Sequence, residues 1–240
     1  MGKLWLSEKM LSKCFWQSLR SSIYFGEASA DSDFIANITA KKVDEFPSIA
    51  GSISVTSGIY LWLLSKYFSP KVVLEIGTYI GRSTLAISFG GRSSITDLYT
   101  CDGTYNCLNF TDYKSDKLAT EKSKSIDQIK YFGKTMSTDM LKKILEDGKK
   151  VDLIFIDGRI ANEDCNLLAQ VMNEGCVIIL DDFEGVEKGV MNAMMLRSVF
   201  RGMILIEPPI ENNSHVGNLA MLVPTNLLTL TRQQSLPVNM

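Results

Sequence analysis

The stretch Val72-Val73-Leu74-Glu75-Ile76-Gly77-Thr78-Tyr79-Ile80-Gly81-Arg82-Ser83-Thr84 constrains this chain more than any other. An apolar run of strand length turns through two glycines and enters the apolar-periodic segment Leu85-Ala86-Ile87-Ser88-Phe89. That order reads as strand, tight turn and helix N-terminus. Gly77 permits an open turn that a side chain would block, and Gly81 lets a ligand approach the start of the helix. The unpaired N–H groups there suit a polar or anionic group, and Ser83 and Thr84 add hydroxyl donors. Glu75 would repel a phosphate, and no Lys follows the second glycine, so a P-loop is excluded. The third glycine of a dinucleotide fingerprint is missing, which disfavours a nicotinamide dehydrogenase. A carboxylate beside an open glycine turn instead suits a ligand with one cationic and one carboxylate end.

From Lys71 onward strand-length and helix-length patterns alternate, which implies a doubly wound α/β fold with a parallel sheet and helices on both faces. The expected strands are 71–76, 97–101, 128–132, 151–156, 175–180, 202–207 and 218–223. The expected helices between them are 82–89, 112–126, 138–147, 161–173 and 184–200. Only the loop 208–217 joins the last two strands. A parallel crossover needs about a dozen residues or more, so the final strand is expected to run antiparallel. Before the sheet, residues 4–25 and 53–68 carry helical apolar spacing, and Ser69-Pro70 stops the second of these segments. Ala30-Asp31-Ser32-Asp33 offers helix-cap chemistry. The expected organisation is an N-terminal helical extension over 1–66, a ligand-binding core over 67–225 and a tail over 226–240.

The bulk properties exclude several classes. The formal net charge of the 240 residues is -2, without the basic excess of a nucleic-acid footprint. No apolar run reaches the roughly 20 residues of a membrane span, and the first residues lack a secretory pattern. The five cysteines, Cys14, Cys101, Cys107, Cys165 and Cys176, are scattered and never in C-x-x-C spacing. That favours reduced thiols and a cytoplasmic location over disulfides or zinc. The apolar side of the first helix suggests packing on its own domain or on a second subunit, ahead of a membrane-surface anchor, so a homodimer is one expectation.

Glu75-Ile76-Gly77-Thr78-Tyr79-Ile80-Gly81-Arg82-Ser83-Thr84 resembles the first motif of class I S-adenosylmethionine-dependent methyltransferases. Within them it is most similar to the small-molecule O-methyltransferases of the catechol, caffeoyl-CoA and macrolide-sugar types. S-adenosylmethionine has the cationic and carboxylate ends that the glycine turn calls for. The resemblance implies a Rossmann-like sheet of seven strands with the last one antiparallel. It also implies cofactor contacts from Glu75, Gly77, Thr78, Tyr79, Gly81 and Ser83. Ligands of open α/β sheets bind at the carboxyl ends of the strands. There the second strand ends in Asp102, roughly 25 residues past the glycine turn, the offset at which an acid takes ribose hydroxyls. A carboxylate accepts two hydrogen bonds at once and so suits a diol; the alternative is a turn-forming Asp before Gly103. The third strand leads to Thr135, Met136 and Ser137, which line the adenine in the family the chain resembles. Met136 is placed to pack on the ring, while Ser137 either bonds it or caps the next helix.

The fourth strand ends in Asp157 and the fifth in Asp181-Asp182, which brings three carboxylates to one rim. Uncompensated, they would repel one another. A divalent cation such as magnesium, which takes oxygen ligands, would remove the conflict. The resemblance to cation-dependent O-methyltransferases points to the same ligands, Asp157, Asp181 and Asp182; the alternative is that Asp157 and Asp182 cap helices and Asp181 faces solvent or the cofactor. On this reading the chain methylates a hydroxyl of a small molecule, with Asp157 and the lone histidine, His215, as candidate catalytic groups. Relatives carry Lys, His or a second Asp just after the fourth-strand acid, whereas this chain has Arg159. Arg159 is a poor base but suits an anionic substrate. That departure keeps two alternatives open: a methyltransferase-like binding or scaffold protein without catalysis, and a metal-site enzyme of different chemistry on the same fold.

Overall fold

A computed structural model of the protein describes residues 8–40, 52–104, 110–115, 123–183, 186–208, 210–211, 214–215 and 218–230. Three helices come first: α1 (Glu8–Arg20), α2 (Phe25–Ala40) and α3 (Val55–Phe68). Ser54 caps α3 by accepting from the Ser57 N–H at 3.0 Å. Ser69 ends it in the left-handed region at φ 47, as the Ser-Pro signal predicts. The alternating part follows as β1 (Val72–Ile76), α4 (Arg82–Gly90), β2 (Asp97–Asp102), α5 (Ser123–Asp127), β3 (Ile129–Gly133) and α6 (Ser137–Glu146). It continues through β4 (Val151–Ile156), α7 (Asn162–Val171), β5 (Met172–Leu180), α8 (Met191–Val199), β6 (Met203–Ile206), β7 (Ala220–Pro224) and α9 (Thr225–Leu230).

The sheet order is β3-β2-β1-β4-β5-β7-β6. Pairings among the first five strands are parallel, and β7 runs antiparallel between β5 and β6. The reversed last strand expected from the short connection is therefore present. The connection itself carries a small hairpin, Ile210–Glu211 with Ser214–His215. Chain reversal of strand order lies between β1 and β4, so the carboxyl ends of β1, β2 and β4 open onto one crevice.

β1 and the inner part of β5 are buried on both faces, which is why they read as runs of Val, Ile and Leu, interrupted in β1 by Glu75. One face packs against α1–α4: Val73, Phe155, Val177 and Ile179 meet Trp16, Ile35, Leu61, Trp62 and Leu85. The other face packs against α6–α8: Leu74, Ile76, Ile154 and Ile178 meet Met140, Leu141, Leu168 and Leu196. The N-terminal helices thus share the core of the sheet. Trp16 and Leu19 of α1 are buried there, Trp16 Nε1 donates to the Glu207 carbonyl at 2.6 Å, and Ser12 Oγ accepts from the Glu207 N–H at 3.0 Å. The apolar side of α1 is used within its own domain.

Two expectations about elements change. Ala30-Asp31-Ser32-Asp33 is not a cap but lies inside α2, where Asp31 is buried and accepts from Trp62 Nε1 at 2.8 Å. A cross-helix partner supplies what a helix terminus would have supplied. The segment 112–126 is not one helix: Phe110–Ser115 is a 3-10 turn and α5 is a single short turn, with 116–122 outside the described residues. Phe110 and Tyr113, three apart, both enter the core, and that spacing matches a three-residue turn. No helix among the described residues is long and apolar enough to cross a membrane.

Candidate active site

A cleft of about 270 Å³ opens at the carboxyl ends of β1, β2 and β4. Gly77, Tyr79, Asp102, Thr135, Met136, Ser137 and Asp157 line it, together with Arg159 and Lys188. Gly77 has φ +99, and a Cβ there would lie 3.1 Å from the Asp157 carbonyl carbon and the Gly158 nitrogen. The β1 and β4 loops therefore close on each other only because residue 77 has no side chain. Tyr79, at φ 48, continues the turn, and Gly81, at φ 78, leads into α4.

Asp102 ties this turn to β2. Its Oδ2 accepts from the Tyr79 N–H at 2.9 Å and its Oδ1 from the Thr104 N–H at 2.8 Å. The carboxylate thus holds the glycine turn and the start of the following loop at the wall of the cleft. Past β3, the Thr135 N–H donates to the Asp102 carbonyl at 3.1 Å, and Met136 stands 62% exposed at the rim. Ser137 is buried and donates to Asp164 at 2.8 Å, while Thr138 donates to the other Asp164 oxygen at 2.7 Å. Asp164 also accepts from the Ala161 N–H at 2.8 Å, so one buried acid joins the starts of α6 and α7. Its neighbours Asn162 and Glu163 are exposed, and nothing in the local sequence set Asp164 apart from them.

Glu75 does not line the cleft. Its side chain turns to the α4 face of β1, fully buried, and accepts from the Thr84 and Thr100 hydroxyls. Thr78 bonds Thr100 at 2.5 Å, so Thr78 acts behind the turn, where Ser83 is also buried. Among the described residues, none meets hydrogen-bonding geometry to the second Glu75 oxygen, Oε1, which is buried. Burial pushes the Glu75 carboxyl up to about 7, against the pull of the neighbouring Ser83, Thr100 and Thr84 hydroxyls; the Asp102 charge adds to the rise.

At the ends of β4 and β5 the expected acids do gather, but a lysine gathers with them. Lys188 Nζ lies 2.5 Å from Asp157 Oδ1 and also contacts Asp182 Oδ2. Asp181 is buried beside them. The sequence reading placed a divalent cation among Asp157, Asp181 and Asp182. The residues present do not fit that group, because an ammonium already bridges Asp157 and Asp182. Among the described residues, no cluster of His, Cys, Asp or Glu has the arrangement of a metal site. Burial pushes Asp181 up to about 7, helped by the charges of Asp157 and Asp182. Burial likewise pushes Asp157 up to about 7, against Lys188. Burial works against the Lys188 charge, yet Asp157 and Asp182 hold it above the ordinary lysine range. Two carboxylates face one ammonium, so Lys188 keeps its charge.

Lys188 reaches the acids from a turn of π-helix, Val186–Val190, that precedes α8 in the segment expected to be helical throughout. Gly189 seats this turn directly on the end of β5: a Cβ there would overlap the Asp181 carbonyl and lie 2.8 Å from the Asp182 carbonyl carbon. A lysine followed by a glycine inside an expected helix was the signal available. Arg159 is 74% exposed at the cleft, with Glu187 3.6 Å away. His215 lies on the small hairpin, with its backbone paired to Ile210; its side chain lies outside the described residues.

Residues 74–183 match a family model described as a methyltransferase domain. That segment runs from β1 to just past the end of β5 and holds the glycine turn, Asp102 and Asp157. No curated protein matches the chain by sequence. Among solved structures, an O-methyltransferase from Bacillus cereus in complex with SAH is similar with a TM-score of 0.57 and 18% identity, over 89% of this chain and 98% of that one. The O-methyltransferase TomG from Streptomyces achromogenes, involved in tomaymycin synthesis and solved with SAM, has a TM-score of 0.58 and 15% identity, over 89% and 95%. The SAH-bound methyltransferase PaMTH1 from Podospora anserina has a TM-score of 0.53 and 15% identity, over 94% and 100%. At these identities the likeness is one of fold, and it extends over 89% of the chain or more.

Proposed function

We propose that the chain transfers a methyl group from S-adenosylmethionine to a hydroxyl oxygen of a small molecule. The observation that carries this reading is Asp102, which lines the cleft beside a glycine turn whose backbone it holds in place. The cofactor supplies an activated methyl group when bound. Asp102 takes the ribose hydroxyls, Met136 packs on the adenine with Thr135 and Ser137 beneath it, and Gly77, Tyr79 and Gly81 give the amino-acid end a close backbone approach. Glu75, Thr78 and Ser83 support the turn from behind. The solved O-methyltransferases of the same fold, bound to SAH or SAM, support the choice of cofactor and of oxygen as acceptor.

Catalysis on this reading is largely positioning of the acceptor oxygen against the methyl group. Asp157 faces the cleft and accepts the hydroxyl proton, directly or through a water. Arg159 and Lys188, both at the cleft, favour a substrate with an anionic group. The free thiols among the described cysteines, Cys14, Cys101, Cys165 and Cys176, suit a cytoplasmic setting. The test is turnover of S-adenosylmethionine to S-adenosylhomocysteine on a panel of phenols, sugars and hydroxy acids. Turnover with at least one acceptor, strongest among acidic ones, is expected. Tight cofactor binding without turnover on any acceptor would favour a binding or scaffold role.

A further inference from the structure

We infer that the Lys188 ammonium occupies the position a divalent cation would take among Asp157, Asp181 and Asp182, so that this chain uses a tethered positive charge and holds no divalent metal there. The three acids converge on the rim where the fold brings the ends of β4 and β5 together, and their repulsion has to be met by some cation. Lys188 meets it, with Nζ 2.5 Å from Asp157 Oδ1 and in contact with Asp182 Oδ2.

The ammonium and a metal ion exclude each other. Magnesium needs near-octahedral oxygens at about 2.0–2.1 Å, and Asp157 and Asp182 would have to turn from Lys188 to supply them. The displaced ammonium would then sit half-buried beside a doubly charged ion, an arrangement that costs both partners their solvation. The lysine has little room to retreat. Gly189, next in the chain, has its Cα so close to the Asp181 and Asp182 backbone that a Cβ would not fit. The stem of Lys188 is therefore anchored on the strand end that carries two of the acids. An ammonium has three donors. Two go to Asp157 and Asp182, which leaves one for a substrate oxygen in the cleft that Lys188 lines.

The test uses Mn2+ as the probe, read by electron paramagnetic resonance of the full chain, and does not depend on methyl transfer. Its failure is thus distinct from failure of the proposed activity, on which only the substrate contact of Lys188 rests. Wild type is expected to leave Mn2+ free in solution. Lys188→Ala, stripped of the ammonium, is expected to bind one Mn2+ roughly tenfold tighter or better, and Asp157→Asn in that background is expected to abolish the gain. Lys188→Met keeps the length of the stem and serves if Lys188→Ala does not fold, as judged by near-UV circular dichroism. Mn2+ uptake by wild type that Asp157→Asn removes would overturn the inference. So would a folded Lys188→Ala or Lys188→Met that takes up no Mn2+.

Discussion

Glu75 carries the largest unbalanced charge effect among the single residues of the turn. Its carboxyl is pushed from 4.5 up to about 7 in the folded chain, so folding takes up a proton between those values. Stability from this group is fully present below pH 4.5, declines as pH rises toward 7 and is flat above that. The full decline is about 3 kcal/mol, from 1.36 kcal/mol per pH unit. Asp157 and Asp181, also raised to about 7, act in the same direction. The ligand-free protein should therefore melt at a higher temperature at pH 6 than at pH 8. Glu75→Gln should flatten that dependence and raise the melting temperature at pH 8. A variant with an unchanged pH profile would show that Glu75 ionises as freely as an exposed acid. Glu75 was legible as a special residue because a charged side chain interrupts an apolar run. Its direction was not, since strand alternation puts residue 75 on the α4 face and only the fold shows that the cleft opens on the other side of the turn.

Backbone meets backbone where α3 crosses α4. A Cβ on Gly90 would lie 2.8 Å from the Trp62 carbonyl carbon and overlap its oxygen, so the helices touch through backbone. Gly90→Ala must push them apart, at about 1–3 kcal/mol for overpacking. A fall of several degrees in melting temperature is expected at this chain length; an unchanged value would mean that α3 and α4 are not held this close. Helix and strand existence was readable along most of the chain, because apolar spacing of two or 3.6 survives without tertiary knowledge. What was not readable were the bonds between elements. Asp31 to Trp62, Asp164 to Ser137 and Lys188 to Asp157 join residues 31, 27 and 31 positions apart. Local spacing suggested a cap for Asp31 and no role for Asp164 or Lys188, and a partner on another element decides each. Lys188 matters most, since it alters the chemistry expected at the β4 and β5 ends.

For the whole molecule, the sheet order determines which strand ends share a crevice. It places Gly77, Asp102 and Asp157, which are far apart in sequence, around one cleft, while α1 to α3 close the opposite face into the same core. The organisation was legible because the short 208–217 connection fixed the direction of the last strand, and the alternating patterns fixed the rest. The account rests on that cleft holding a sulfonium nucleoside. Isothermal titration of S-adenosylhomocysteine into the purified chain tests it most directly. We expect one site per chain, weakened about ten- to hundredfold in Asp102→Asn, as befits loss of a charged hydrogen-bond acceptor. No measurable binding by wild type, or equal affinity in the variant, would contradict it.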